Sequence, residues 1–268
     1  MLPKKRFVVT VAKNEKIELA VDKALSKLDL PDLSGLRILL KPNVGRETNP
    51  KQAINTNPDV VEAVFRYLHD RFDADFYIGD SPIINTDSRK SFLTSGYENV
   101  LNQEDLVFLD LDEKPPVELS IFNGRILKKV KVTGYWNEFD YIVSIPVLKM
   151  HMHTGASLSF KNSKGLIYKR EKIKLHHQYA PQIIQDLEST LFQDSKTQIK
   201  ELDVAIADLA LCIKPDLSII DASYVLEGMG PASGNPVKLD TIIASKNFLA
   251  TDIVALKLVQ PNWTLDNV

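Results

Sequence analysis

The chain has 268 residues, 44% hydrophobic and 25% charged, with a formal net charge of −2, the proportions of an ordinary globular protein able to bury a large core. Its single cysteine, Cys212, excludes an intramolecular disulfide framework, a four-cysteine zinc site and a self-contained iron–sulfur cluster. No apolar run reaches the roughly 18 residues of a membrane span, and the basic amino terminus carries too short an apolar run for a signal peptide, so cytoplasmic residence is the expectation.

In chain order, the β-branched run Arg6–Ala12 predicts a strand, and the spacing of Ile17, Ala20, Val21, Ala24, Leu25 and Leu28 predicts a helix. Leu36–Leu40 reads as a buried strand stopped by Lys41-Pro42-Asn43. Asn57-Pro58-Asp59 is a helix start, with Asn as cap, Pro at the first helical position and an acid in the first turn. That helix is expected to run to about Asp70. Asp75–Ile78 follows as a strand ending at Gly79-Asp80-Ser81-Pro82. The β-α-β-α-β order so far is that of a parallel sheet covered by helices.

Further on, Leu106–Asp110 predicts a strand, and Val117–Phe122 with Arg125–Val132 a hairpin turning at Asn123-Gly124. Tyr141–Ile145 is another buried strand, ended by Pro146. Pro181–Phe192 and Gln198–Ile213 have helical spacing, and Asp216–Ile220 reads as a strand. The turn-rich loop Glu227–Pro236 leads to a strand at Leu239–Ser245 and a last helix from about Phe248. The fold class expected is α/β, a mixed and largely parallel sheet flanked by helices, Rossmann-like and three-layered, with a β-hairpin inserted in the middle. No repeat, low-complexity tract or clean linker appears, so residues 1–268 are read as one α/β domain or two intimate lobes without a readable boundary.

Chemistry concentrates between Ile145 and His177. This stretch holds four of the five histidines and seven basic residues against one acid, Glu171. Its charge is therefore +6 in a chain of −2, leaving −8 for the remainder. A positive island on an acidic protein suggests an anionic ligand. In open α/β sheets ligands bind beyond the carboxyl ends of strands, and polar groups bunch at four such ends: Lys41 and Asn43, Asp80 and Ser81, Lys149 and His151, and Asp221 with the Gly-rich loop behind it. Each group taken singly also fits ordinary turn and capping chemistry.

If the chain stays extended after Pro146, Lys149, His151 and His153 share one strand face. Thr154 is then a plausible cap for a helix ending near Gly165, with Ser157, Lys161 and Lys164 on one side of it. The first amides of that helix, with Lys149, would hold a phosphate or carboxylate. The same residues permit a metal reading, in which His151 and His153 ligate a divalent ion with His176-His177, Asp80 or Asp221 completing the shell. The local positive charge opposes that. The Gly228-x-Gly230 pattern is not a dinucleotide fingerprint, because Pro231 lacks an amide donor. There is no P-loop and no G-x-S-x-G elbow. The acidic remainder argues against a general nucleic-acid duplex binder.

Together these blocks resemble the DUF362 family, a widespread prokaryotic group whose name records an unassigned function. LLKPNVG (Leu39–Gly45), NTNPDVVEAVFRYL (Asn55–Leu68), IGDSP (Ile78–Pro82), FLTSGYENV (Phe92–Val100), IPVLKMHMHTGASLSFKNSKGLI (Ile145–Ile167) and IIDASYVLEGMGPASGNP (Ile219–Pro236) follow the family's order. The resemblance points at Lys41, Asn43, Asp80, Ser81, Lys149, His151, Thr154, Lys161, Asn162, Gly165, Asp221, Glu227, Gly228 and Gly230. Val147 stands where the family usually has a lysine, and Ala222 where it often has glycine. Some relatives carry ferredoxin-like cysteine modules; with Cys212 alone, that cofactor inference does not transfer. The family pattern also leads one to expect further structure beyond the Asp252 helix.

The reading that follows is an enzyme acting on a small anionic metabolite. Lys41, Lys149 and the amides after Thr154 hold the anion, His151 serves as acid or base, and Asp80 orients it or receives a proton. Two alternatives stay open: metal-assisted chemistry at His151/His153 with a carboxylate, and a non-catalytic binding or redox-accessory protein that docks a protein partner through residues 161–177.

Overall fold

The computed structural model describes residues 6–152, 154–175, 184 and 200–260. His153, His176 and His177, and the helix expected over Pro181–Phe192 apart from Ile184, lie outside them. Among the described residues nine strands form one sheet. Its main path runs β1 (Thr10–Lys13), β11 (Asn235–Ser245), β10 (Leu217–Glu227), β7 (Tyr141–Ile145), β2 (Arg37–Pro42), β3 (Asp75–Asp80) and β4 (Leu106–Asp110). Strand β8 (Val147–His151) pairs with β10, and β9 (Gly155–Ser157) with β8. Strands β10, β7, β2, β3 and β4 are parallel neighbours, whereas β1, β11 and β9 join antiparallel. This is the mixed, largely parallel α/β sheet expected.

The apolar runs of the central strands are continuous because both faces are covered. In β2, Ile38 and Leu40 face one core, with Val21 and Leu25 of α1 (Ile17–Leu25) and Val60, Val61, Val64 and Leu68 of α2 (Pro58–His69). Leu39 faces the other, packed with Ile142, Val130, Val132, Leu166 and Ile167 and with Ala205, Ile206 and Leu209. The last three belong to α7 (Glu201–Cys212), which follows α3 (Ser88–Thr94), α4 (Glu98–Leu101), α5 (Ser159–Asn162) and α6 (Glu171–Lys174) and precedes α8 (Phe248–Val259). The side chain of Asn57 accepts from the Asp59 amide and caps α2, with Pro58 opening the helix as its sequence indicates.

Four local expectations need correction. The first strand does not open a parallel β-α-β unit: β1 is shorter and shifted, and pairs antiparallel with β11, because a β-branched run specifies an extended chain but not its partner. The central hairpin is not closed by a two-residue turn at Asn123-Gly124, although a turn bonded from the Gly124 amide to the Ile121 carbonyl lies within its longer connection. Strands β5 (Val117–Ser120) and β6 (Lys129–Val132) are joined by residues 121–128, whose amides at Arg125, Ile126 and Leu127 all donate to the Asp208 carboxylate of α7. Strands β10 and β11 invade both ends of the expected loop, leaving only residues 228–234 as the connection.

The fourth correction reaches the site. No helix runs from Thr154 to Gly165: Gly155–Ser157 pair with β8 as β9, α5 is four residues long, and a 3₁₀ turn at Ser163–Leu166 follows it. The Thr154 hydroxyl donates to the Ala156 carbonyl at 3.0 Å instead of capping a helix. The helix-terminal anion cradle expected there is absent, because β pairing consumes the residues of its first turn.

Candidate functional site

Strand β2 has β3 on one side and β7 on the other, so chain connections diverge at its carboxyl end and open a crevice there. At the floor of the crevice lies Lys41, only 1% exposed although it ends in an ammonium group. Its three donors go to Asp80 Oδ1 at 2.8 Å, Asn162 Oδ1 at 2.9 Å and the Pro42 carbonyl at 3.1 Å. The second Asp80 oxygen accepts from the Val44 amide at 2.8 Å. Asn162 is used on both sides, its Nδ2 donating to Ser144 Oγ and the Lys41 carbonyl. A buried ion pair tolerates its desolvation only when the remaining donors and acceptors are satisfied in this way.

Gly165 closes over this pair. A Cβ there would lie 2.0 Å from Asp80 Oδ1 and 2.4 Å from Lys41 Nζ, so only glycine lets the backbone approach. Its carbonyl accepts from the Ser81 amide at 3.0 Å. The segment carrying Lys161 and Asn162 is set from α8: Asp252 accepts the amides of Ser159 and Phe160 at 2.9 and 2.8 Å, and the Phe160 and Phe248 rings stack. Burial pushes the Asp252 carboxyl up to about 7 despite these amides.

Above this floor is a cavity of about 450 Å³. Arg46, Lys149, Lys161, Lys164 and Lys172 line it with His151, against one carboxylate among the described residues, that of Asp80. Lys149 donates to Asn43 Oδ1 at 2.6 Å and to the Ile54 carbonyl at 2.5 Å. Lys172 donates to the carbonyls of Ser81 and Pro82, both at 2.8 Å, and to the Ser81 hydroxyl, which itself donates to Asp112. No hydrogen bond joins the Lys161 amine to another described residue.

Crowded, half-dry cations hold their protons weakly. Burial, reinforced by Arg46, brings Lys149 down to about 7, with Asp80 opposing. Burial and repulsion from Lys164, Lys149 and Arg46 bring Lys161 to about 7. Lys164 falls to about 8 through burial and Lys172, and Lys172 to about 8 through burial, opposed by Asp112 and Asp80. A multiply charged anion in the cavity would restore these protons.

His151 ends β8 and is 7% exposed. Its Nδ1 accepts the Thr154 amide at 3.3 Å, so the neutral ring carries its proton on Nε2. This tautomer offers Nε2–H as a hydrogen-bond donor, whereas proton transfer by the ring, as acid or as base at Nδ1, would first require the Thr154 amide to leave.

Of the residues expected from the sequence, Asn43, Asp80, Ser81, Lys149, His151, Lys161, Asn162 and Gly165 line the cavity, and Lys41 lies directly beneath. Thr154 does not line it. Asp221 is buried elsewhere, accepting the Asn57 amide and the Ser223 amide and hydroxyl, with its carboxyl pushed up by burial to about 6. Glu227 is the exposed last residue of β10, and Gly228 opens the exposed connection after it. Gly230 packs against β8 through backbone: its carbonyl accepts from Met152, and a Cβ would strike the Met150 carbonyl at 1.8 Å. The fourth strand-end loop thus reaches the cavity through Pro231 alone. Lys164, placed by sequence on one face with Ser157 and Lys161, lines the cavity with both of them. Sequence reading missed Arg46 and Lys172; Lys172 was signalled only by the local positive charge, and Arg46, outside that stretch, by nothing. Among the described residues no three His, Cys, Asp or Glu side chains converge as a metal site, and His153 lies outside them.

A family model described as a domain of unknown function, DUF362, matches residues 38–257. The thylakoid-associated protein sll1697 of Synechocystis sp. is 26% identical over 227 residues, which is 84% of this chain and 64% of that protein. Among solved structures, the lactate racemase apoprotein of Thermoanaerobacterium thermosaccharolyticum matches with a TM-score of 0.56 at 12% identity, covering 97% of this chain and 58% of that one. The second likeness is one of fold. The chain spans less than two thirds of the length of either protein.

Proposed function

The chain belongs to the DUF362 family, and on that premise we propose that it is an enzyme acting on a small anionic metabolite, a phosphate or carboxylate, with His151 as acid or base. The supporting observation is the cavity lining, in which five basic side chains surround a space whose one described carboxylate is already neutralised by Lys41. Preorganised cations in a partly dry site attract an anion and stabilise charge that develops on it. Lys149 and Lys161 hold the anion. Asp80 and Lys41 act beneath them, keeping Asn162 and the Gly165 turn in place. In this tautomer His151 would polarise the bound group by a hydrogen bond from Nε2–H, and it acts as acid or base once the Thr154 amide leaves Nδ1.

We read the setting as cytoplasmic. No described helix is long and apolar enough to cross a membrane, while the Synechocystis relative is named for its association with thylakoids. Cell fractionation separates the two settings.

The test is a thermal-shift screen of phosphorylated and carboxylated metabolites, with and without divalent metals, followed by assay of His151→Gln on any compound turned over. The expected result is a metal-independent shift, and a loss of about 10²–10⁴ in rate for the variant with its melting temperature unchanged. No shift with any anion would end this reading. A shift that requires metal would move it to the His151/His153 alternative, and equal loss of folding and rate would make His151 structural.

A further inference from the structure

The cavity has two anchored positive ends. At one, Lys149 is held by Asn43 and the Ile54 carbonyl, with Arg46 and His151 on the same lining. At the other, Lys172 is held by the carbonyls of Ser81 and Pro82. Lys161 and Lys164, three residues apart in α5 and the turn after it, stand between. The repulsions that weaken their protons run in the same order: Arg46, Lys149 and Lys164 act on Lys161, and Lys172 acts on Lys164. Neutral oxygens hold Lys149 and Lys172 in place without supplying a counter-charge.

Resting on the anion-binding reading above, we propose that the ligand is bis-anionic, with one anionic group between Lys149, Lys161 and Arg46 and a second at Lys172 beside the Ser81-Pro82 turn. Two facts carry this beyond a single anion. Even with Lys164 set aside, four basic groups, Arg46, Lys149, Lys161 and Lys172, line the cavity, and one carboxylate or phosphate would neutralise only one or two of them. The volume, about 450 Å³, is that of a small-metabolite site and exceeds what a lone inorganic ion fills. A molecule with a phosphate at one end and a phosphate or carboxylate at the other matches both the charge and the volume. Its binding draws protons onto the lysines, so affinity weakens as pH rises past about 8.

Titration calorimetry of the full chain with inorganic phosphate, pyrophosphate and propane-1,3-bisphosphonate tests this. At least one bis-anion should bind about tenfold or more tighter than phosphate. Lys161→Gln, which strips a contact from the first anionic group, and Lys172→Gln, which strips the second, should each remove most of that advantage. Should Lys172→Gln fail to fold, Lys164→Gln removes the amine on which Lys172 acts and probes the neighbourhood of the second group. Phosphate and both bis-anions binding equally well, or an advantage untouched by the Lys172-end variants, would overturn the bis-anionic ligand while leaving single-anion binding intact. No binding by any of the three would overturn both.

Discussion

Around Lys41 positive charge meets negative charge in a closed network, whereas the wall from Lys149 to Lys172 sets cations beside one another and beside neutral oxygens. Both regions are largely withdrawn from water, and they share Asp80 and Asn162 as a common boundary. The first stabilises the fold, because every buried donor and acceptor is used. The second costs stability until an anion arrives, and that is the mark of a binding surface.

The largest test of this contrast is Lys41→Met. It leaves Asp80 buried with its cationic partner gone, and breaking such a pair costs about 3–5 kcal/mol. Denaturant unfolding should show a large drop in midpoint, and a loss under about 1 kcal/mol would mean that the Lys41–Asp80 pair does not hold the cavity floor together. Next is Gly165→Ala, whose Cβ must displace the Lys41–Asp80 pair or the turn above it. Overpacking of this kind costs about 1–3 kcal/mol, read from the same curves, and anion binding should weaken with it.

Lys161→Met should move the other way. Removing one repelled cation raises the melting temperature of the ligand-free protein by about 2–4 °C, the shift that roughly 1 kcal/mol brings in a domain of this size, while phosphate ceases to stabilise it. A fall in melting temperature would show that the lysine wall is structural, like the Lys41 cluster.

The smallest effect is a pH trend. The four cavity lysines hold protons less tightly folded, at about 7 to 8, than at their ordinary value of 10.5. Between those limits the unfolded chain binds more protons, so their contribution to stability rises with pH and is lost as pH falls through 8 to 7. Asp221 and Asp252, raised to about 6 and 7, act oppositely: their contribution is present below 3.8 and lost as pH rises through those values. The ligand-free melting temperature should therefore climb between pH 7 and about 9, and saturating phosphate should flatten the climb. A flat ligand-free profile would contradict the crowding of the lysines.

Local patterns made much of the frame legible. Asn57-Pro58-Asp59 opened its helix where capping chemistry demands, Leu106–Asp110 and Tyr141–Ile145 are strands to the residue, and three of the four polar strand ends do converge. The segment 154–165 was misread because its spacing fits a helix, yet β8 pairs with Gly155–Ser157 first and Asp252, some ninety residues on, starts the short helix that remains. Asp221 looked like a site residue because it follows a strand core. In fact β10 continues past it, and its oxygens serve Asn57 and Ser223.

Charge and periodicity are local properties, so the chain alone revealed a basic island, the α/β alternation and the residues at strand ends. Whether a given lysine is paired, crowded or solvated depends on which distant segments pack around it. Lys41 and Lys161 carry the same ammonium group, and only the folded arrangement gives one a carboxylate at 2.8 Å and the other three cationic neighbours. The same packing brought in Arg46 and Lys172 from opposite flanks and left Asp221, Glu227 and Gly228 outside the cavity, because desolvation and Coulomb interaction are set by distance in space rather than along the chain.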